Sequence, residues 1–161
     1  MEWSEQFYAW RAGDGCPSCA EGRPRSTDAG RRWFAGDCCD AYLVRADIQQ
    51  GLTIAVFRGR HVVEPTELTD DEAAAYGREV LRVGRAIAEA FATVKLNYDV
   101  LGNSVPHLHT HIVPRYAEDP RPGWPFPFPD PDPPPMPADR FEDNLAALRR
   151  ALTDGLGPAE S

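Results

Sequence analysis

The chain has 161 residues, of which 42% are hydrophobic and 26% charged, and its net charge is −8. This size and composition are typical of one globular domain with its own core. The acidic balance argues against a nucleic-acid partner, because no basic stripe is available to neutralise phosphates. No apolar run approaches the ~20 residues of a membrane helix, and the N-terminus lacks the features of a signal peptide. We therefore expect a cytoplasmic protein with no membrane partner.

The first 30 residues are rich in glycine, proline and charge and are predicted to be mainly loop. They contain Cys16-Pro17-Ser18-Cys19, whose CxxC spacing allows two thiolates to bind one metal ion. The same spacing also occurs in redox pairs and in ordinary loops, although the surroundings typical of a thioredoxin-like site are missing. In the cytoplasm these cysteines are expected to be reduced or metal-bound.

The next segments predict strands and one long helix. Residues 32–46 contain apolar stretches of strand length, and residues 52–57 are rich in β-branched and apolar types. Within the first of these, the adjacent Cys38 and Cys39 are predicted to be buried small hydrophobes. Thr69 and Glu72 form a capping box. Behind it, one apolar stripe predicts an amphipathic helix over residues 70–92: Tyr76, Val80, Val83, Ile87 and Phe91.

Three of the four histidines stand at alternate positions, His107, His109 and His111. Residues 94–100 and 108–113 are predicted strands, and the turn residues 101–104 between them favour an antiparallel pair. On an extended strand, alternate side chains point to the same face. The pattern therefore predicts a row of imidazoles, which can titrate near neutral pH, bind metal or act as nucleophiles.

The region that follows is unusually rich in proline, with ten prolines among residues 120–137. It also holds Trp124, Phe126 and Phe128, so it is either a flexible linker or an extended arm whose aromatic residues pack on the domain or on a second subunit. Beyond it, Asp139 is predicted to cap a helix with one apolar face, formed by Phe141, Leu145, Leu148 and Leu152. That face docks either on its own domain or on a partner.

The histidine segment resembles the HxHxHxx signature of the histidine triad (HIT) superfamily. Its context is similar as well, with Asn97-Tyr98 and residues 101–106 upstream and Pro114-Arg115-Tyr116 downstream. The resemblance covers residues 14–116 and is strongest to bacterial HIT proteins described as diadenosine tetraphosphate hydrolase-like. It implies an α+β fold with about five mainly antiparallel strands and one long helix. It also implies a homodimer formed through this helix and the adjoining strand.

The same resemblance implies a two-step nucleotidyl transfer. His109 would attack the α-phosphate of a nucleotide substrate, and its other ring nitrogen would need an acceptor, a backbone carbonyl in this family. His111 would help to protonate the leaving group. The remaining implied contacts are Asn97 with the nucleotide, Asn103 and Ser104 with phosphate oxygens and the leaving group, and Gly102 where the backbone approaches the phosphate. Many relatives have Gln in place of Asn103. Asp47 corresponds either to an acidic residue that binds the ribose or to a simple turn aspartate.

A zinc site is implied by the subset of HIT proteins that bind zinc and by the related galactose-1-phosphate uridylyltransferases. The ligands carried over are Cys16, Cys19, His61 and His107. This is a closed Cys2His2 set, which is typical of structural Zn²⁺, and it would aim His109. The alternative is that Cys38 or Cys39 replaces His61.

The substrate is expected to be a small purine nucleotide conjugate, with a dinucleoside polyphosphate favoured. Because the chain is acidic, a phosphate site needs local cations; Arg115 is the first candidate, and Arg58, Arg60, Lys95 and Arg121 are others. The alternatives are a phosphorylase or phosphoramidase of the same superfamily, a nucleotide-binding regulatory protein with little turnover, and an enzyme with one metal on all three triad histidines. The predicted organisation is a catalytic domain at 1–118, a Pro-rich arm at 119–138 and a C-terminal helix at 139–155.

Overall fold

The computed structural model describes residues 2–119, 121–127 and 132–154. Its centre is one five-stranded antiparallel sheet in the order β1-β2-β3-β5-β4. The strands are β1 (Gly30–Ala35), β2 (Cys39–Val44), β3 (Thr53–Phe57), β4 (Lys95–Asp99) and β5 (His109–Arg115). The α+β fold is confirmed. Within these described ranges no helix is long and apolar enough to cross a membrane.

The register separates the two faces of the sheet. His109 lies opposite Val56 of β3, and His111 lies opposite Ile54 of β3 and Asp99 of β4. Because side chains directly opposite each other share a face, these residues form one surface, which we call the histidine face. The alternate residues of β5, Thr110 and Ile112, are buried on the other face.

The long helix α3 (Asp70–Phe91) covers that buried face. Thr69 accepts from the backbone N–H of Glu72, and the Glu72 carboxylate accepts from the backbone N–H of Thr69, so the predicted capping box is present. Four of the five predicted stripe residues are buried, and Phe91 packs against the core at its edge. The Tyr76 hydroxyl fixes the helix to the sheet, since it hydrogen-bonds the carbonyl of Ala55 at 3.1 Å and the hydroxyl of Thr110 at 2.9 Å.

The C-terminal helix α4 (Ala138–Asp154) packs on its own domain. Phe141, Leu145 and Leu148 are buried in the same core as α3. The helix begins one residue earlier than predicted, and Asp139 lies inside its first turn, so the prediction that Asp139 is the cap was wrong. Position 155 and Phe128 of the predicted arm lie outside the described residues.

The N-terminal segment is more regular than its composition suggested. Helix α1 (Glu5–Arg11) has Ser4 as its N-cap, and the short helix α2 (Pro17–Ala20) follows directly after Cys16. Most of residues 2–30 lie outside regular elements, as predicted, and these two short helices are what the composition did not indicate. Cys39 is buried as predicted, but Cys38 is only half-buried, and its thiol donates to the carboxylate of Glu79 at 3.3 Å.

Candidate functional site

Four side chains from three separate parts of the chain meet at one end of the sheet. Cys16 and Cys19 come from α2 and its start, His61 from the loop after β3, and His107 from the approach to β5. Their ligand atoms all lie within 4.8 Å of one another. The thiol of Cys19 is 3.4 Å from Nδ1 of His61 and 3.5 Å from Nδ1 of His107, and the thiol of Cys16 is 3.7 Å from the latter. A tetrahedral Zn²⁺ with ordinary bond lengths places S and N ligands about 3.5 Å apart, so the set fits this metal.

Both histidines of the cluster are oriented by backbone carbonyls. The Nε2–H of His107 donates to Phe57 at 2.8 Å, and the Nε2–H of His61 donates to Arg11, the last residue of α1, at 3.2 Å. Each bond places the proton on Nε2 and leaves Nδ1 free as a ligand. Burial lowers the pKa of His107, which favours the neutral imidazole that a metal needs. Burial and the neighbouring Cys16 raise the pKa of Cys19 to about 11, so a bound cation would be required to hold its thiolate.

His107 therefore does not continue the row of imidazoles on β5. It precedes the strand, is buried, and turns its ring towards the cysteines. The expectation that all three triad histidines share one strand face was wrong for this reason. Within the described residues, the metal cluster holds neither Cys38 nor Cys39.

His109 and His111, the predicted reactive pair, lie side by side on the histidine face. Their ring centroids are 5.0 Å apart. The Nδ1–H of His109 donates to the carbonyl of His107 at 2.7 Å, so its Nε2 carries the free lone pair. Burial and the neighbouring His109 lower the pKa of His111 to about 4. At neutral pH His111 is thus an uncharged imidazole that can donate one N–H.

Three predicted residues lie in the loop between β4 and β5, the strand that carries this pair. Gly102 has a φ of +65°, a conformation that glycine adopts without strain. Asn103 and Ser104 are both exposed. Their polar groups are therefore free to bind a ligand that arrives from solvent.

A small cavity of about 120 Å³ lies on the histidine face, over β2 and β3. Its floor is apolar and is formed by Val44, Ile54 and Val56, the last two lying directly opposite His111 and His109. Ser18 and Glu21 of the cysteine segment form part of its wall. A larger cavity of about 440 Å³ at the edge strand β1 is lined by none of the predicted site residues.

Three residues of the predicted nucleotide and phosphate site have protein partners in the structure: Asp47, Asn97 and Arg115. Asp47 follows β2 and pairs with Arg140 of α4, while its backbone N–H donates to Pro134 at 2.7 Å. The guanidinium of Arg115 donates to Asp119, to Oδ1 of Asn97 at 2.7 Å and to the carbonyl of Trp124 at 2.9 Å. Arg115 is thus engaged with the arm, and the geometry does not support the expectation that it compensates phosphate charge.

Sequence reasoning missed the network around Asp40. This carboxylate has no exposed side-chain surface, and it accepts from Arg23 at 2.8 and 3.0 Å and from Arg58 at 3.1 Å. Arg58 also donates to the carbonyl of Ser18 at 3.0 Å, between the two metal-site cysteines. The network therefore connects the sheet to residues 16–19, the segment with two of the candidate metal ligands, which we call the metal-site segment. The sequence feature that could have indicated this network is Asp40 itself, the single acidic residue inside the apolar run 38–44.

Comparisons with known proteins find similarity to HIT-domain and histidine triad proteins. The family model described as HIT domain matches residues 41–118. Protein hit from Bacillus subtilis (strain 168) is 32% identical over 83 residues, which are 48% of this chain and 57% of that protein, so the match spans little more than half of the relative.

Two solved structures illustrate the similarity of fold. A histidine triad protein from Bradyrhizobium japonicum is 28% identical with a TM-score of 0.64, and the match covers 78% of this chain and 92% of that one. A histidine triad family protein from Mycobacterium smegmatis, described as Zn-bound, is 24% identical with a TM-score of 0.55 and is matched over 92% of this chain and 93% of its own. The second likeness concerns the fold alone.

Proposed function

The chain carries a HIT domain of the histidine triad superfamily, and on that premise we propose that it cleaves a purine nucleotide conjugate through a covalent nucleotidyl-histidine at His109. A dinucleoside polyphosphate is the favoured substrate. The observation that carries the proposal is the 2.7 Å bond from Nδ1–H of His109 to the carbonyl of His107. It leaves Nε2 as a free nucleophile on a face with an adjoining apolar cavity.

The chemistry divides one difficult displacement into two steps. The lone pair on Nε2 of His109 attacks the α-phosphorus, a P–N bond forms, and the bond from phosphorus to the leaving oxygen breaks. The N–H of His111 hydrogen-bonds that oxygen as its negative charge develops. Water then attacks phosphorus, the P–N bond breaks, and the nucleoside monophosphate leaves with His109 restored.

The neighbouring residues would bind the base, the ribose and the phosphates of the substrate. The apolar floor of the cavity fits a nucleobase, and the exposed Asn103 and Ser104 would donate to phosphate oxygens. Gly102 would let the backbone approach those oxygens. Asn97 would contact the nucleotide, and Asp47 would accept from the ribose with the part of its carboxylate that Arg140 leaves free.

We further propose that Cys16, Cys19, His61 and His107 hold a structural Zn²⁺. The S–N distances and the two oriented imidazoles support this set. Such a closed set offers no reacting position. The metal would instead fix the position of His107, whose ring is a ligand. Because the carbonyl of the same residue orients His109, the metal would also help to position the nucleophile.

We also propose that the protein is a cytoplasmic homodimer formed through β4 and α3. β4 is an edge strand. Tyr98 on this strand, Val94 and Val100 at its two ends, and Leu81 on α3 are exposed. An apolar edge strand usually pairs or is covered. Light scattering after gel filtration would give a dimer mass for the unmodified chain and a monomer mass for a Tyr98→Lys variant.

The test of the proposed activity is release of AMP from diadenosine tetraphosphate and from adenosine 5′-phosphoramidate. We expect turnover of at least one substrate by the unmodified chain and its disappearance in His109→Ala. Zinc content and thermal unfolding of both preparations control for misfolding. Alkaline quenching, which preserves P–N bonds, should leave one nucleotidyl group on the unmodified chain and none on the variant. A zinc-loaded, folded chain that binds these nucleotides without turnover would instead support a regulatory protein.

A further inference from the structure

The Pro-rich arm is anchored on the histidine face. His109, His111, Val113 and Arg115 alternate along β5, so Arg115 projects from the same face as the reactive pair. Its guanidinium reaches Asn97 on β4, which lies directly opposite Val113. That row is two residues, or about 7 Å, from the row of His111 and Asp99. Through Arg115 the arm is thus held on the same face as the reactive pair, and the Asn97 contact lies one side-chain row from His111 and two from His109.

The attachment is extensive for a segment of this composition. Arg115 is only 8% exposed, and it donates to the carbonyls of Trp124 at 2.9 Å and Arg121 at 3.3 Å as well as to Asp119. The Phe126 ring lies 5.6 Å from its guanidinium. Gln49 donates to the same Asp119 at 2.9 Å. These hydrogen bonds therefore fix the position of the backbone around Trp124.

The side chain of Trp124 contrasts with its fixed backbone. It is 64% exposed, and the guanidinium of Arg121 lies 5.4 Å from its ring. A large aromatic side chain that is held at its backbone yet exposed makes no contribution to the packing of its own domain, so it calls for an external occupant. An indole next to a cation is suited to stack on a nucleobase and to attract the attached phosphates.

The sheet places the arm and the cavity on opposite sides of the histidines. The cavity floor belongs to β2 and β3, the reactive pair to β5, and the Asn97 contact of the arm to β4, which lies at the other edge. In-line attack by Nε2 of His109 places the leaving group on the far side of phosphorus, away from the sheet, and a nucleoside held in the cavity over β2 and β3 leaves the β4 side of the histidine face open to that group. The arm is attached on that side.

We propose that residues 121–127 of the arm form the binding site for the leaving half of the substrate, with Trp124 stacking on its base and Arg115 as the positioning residue that holds Trp124. This inference rests on the proposed nucleotidyl transfer. The occupant is a second nucleotide carrying an aromatic base, as in a dinucleoside polyphosphate. A leaving group without a ring, such as ammonia, would make no use of the arm.

The experiment compares kcat/KM for diadenosine tetraphosphate and for adenosine 5′-phosphoramidate, whose leaving group is ammonia. We expect Trp124→Ala to lower the first value by about fivefold to a hundredfold, the range for one lost base–aromatic stack, and to leave the second within about twofold. Trp124→Phe should restore most of the loss, and Arg115→Lys should reproduce the substrate-selective loss. Trp3→Ala is the matched control, since Trp3 is another exposed tryptophan, at 53%, and should change neither value.

An equal loss on both substrates, or no loss on either, would overturn the inference. If the unmodified chain turns over neither substrate, the proposed activity fails, and a binding measurement decides the arm separately. Diadenosine tetraphosphate is then titrated into His109→Ala while tryptophan fluorescence is followed. Quenching that disappears when Trp124→Phe is added supports the stacking site, and quenching that persists unchanged refutes it.

Discussion

Replacing Asp40 with asparagine tests how the sheet holds the metal-site segment. Asp40→Asn keeps the shape of the side chain and removes its charge. Both carboxylate oxygens accept from arginines, with Oδ1 bound to Arg23 and Oδ2 bound to Arg23 and Arg58, while Arg32 lies at the longer distance of 3.5 Å from both. One amide nitrogen must therefore face a guanidinium N–H, and the nearly buried Arg58, with 7% of its side chain exposed, loses its counter-charge.

The magnitude follows from the burial of the two partners. Removing one member of a buried ion pair destabilises proteins by about 3–5 kcal/mol. Arg23 is 41% exposed and can recover water, so its contribution is discounted and Arg58 dominates. We therefore expect the free energy of unfolding to fall by about 3 kcal/mol. Zinc affinity should fall too, because Arg58 positions Ser18 between the two cysteines.

The assay is urea unfolding of the zinc-loaded chain, followed by chelator competition for the metal. Asp37→Asn is the matched control, since it makes the same change at an exposed carboxylate three residues away and should stay within about 0.5 kcal/mol. A loss below about 1 kcal/mol for Asp40→Asn would refute the reasoning. It would mean that the arginines find equivalent partners once the carboxylate is gone.

The remaining predictions concern the metal, the core and pH. One zinc per chain should be lost in Cys19→Ser and His61→Ala but kept in His109→Ala, as measured by plasma mass spectrometry; loss in the last variant would favour a metal on all three triad histidines. Tyr76→Phe removes two buried hydrogen bonds and should lower the free energy of unfolding by about 1–2 kcal/mol in urea melts; an unchanged midpoint would contradict that role. Burial lowers the pKa of His111 from 6.5 to about 4, so the unfolded chain takes up its proton first as the pH falls. Stability from this group is complete above pH 6.5 and is lost towards pH 4, by about 2 kcal/mol at pH 5, and urea melts at pH 7 and 5 should show a smaller decrease for His111→Gln.

Much of the fold and part of the site could be predicted because the signals are local. The capping box at Thr69 and the stripe behind it depend on residues three and four positions apart, and α3 begins and ends within one residue of the prediction. The alternation of residues 108–113 likewise predicts that Thr110 and Ile112 face away from His109 and His111, and both are buried on the other face of the sheet. The zinc ligand set came from resemblance to a family, and the structure brings those four side chains together.

Only the tertiary structure decided what the long-range partners are. Nothing near Arg115 in the sequence indicates that its guanidinium is used by Asn97, which lies across the neighbouring strand, and by Trp124 of the arm. The same is true of Asp40, whose partner Arg58 is brought to it by the pairing of β2 with β3. Spacing along the chain specifies a helix or a strand, because these depend on short-range geometry. Which side chains meet across a sheet depends on register and strand order, and folding the whole domain fixes both at once.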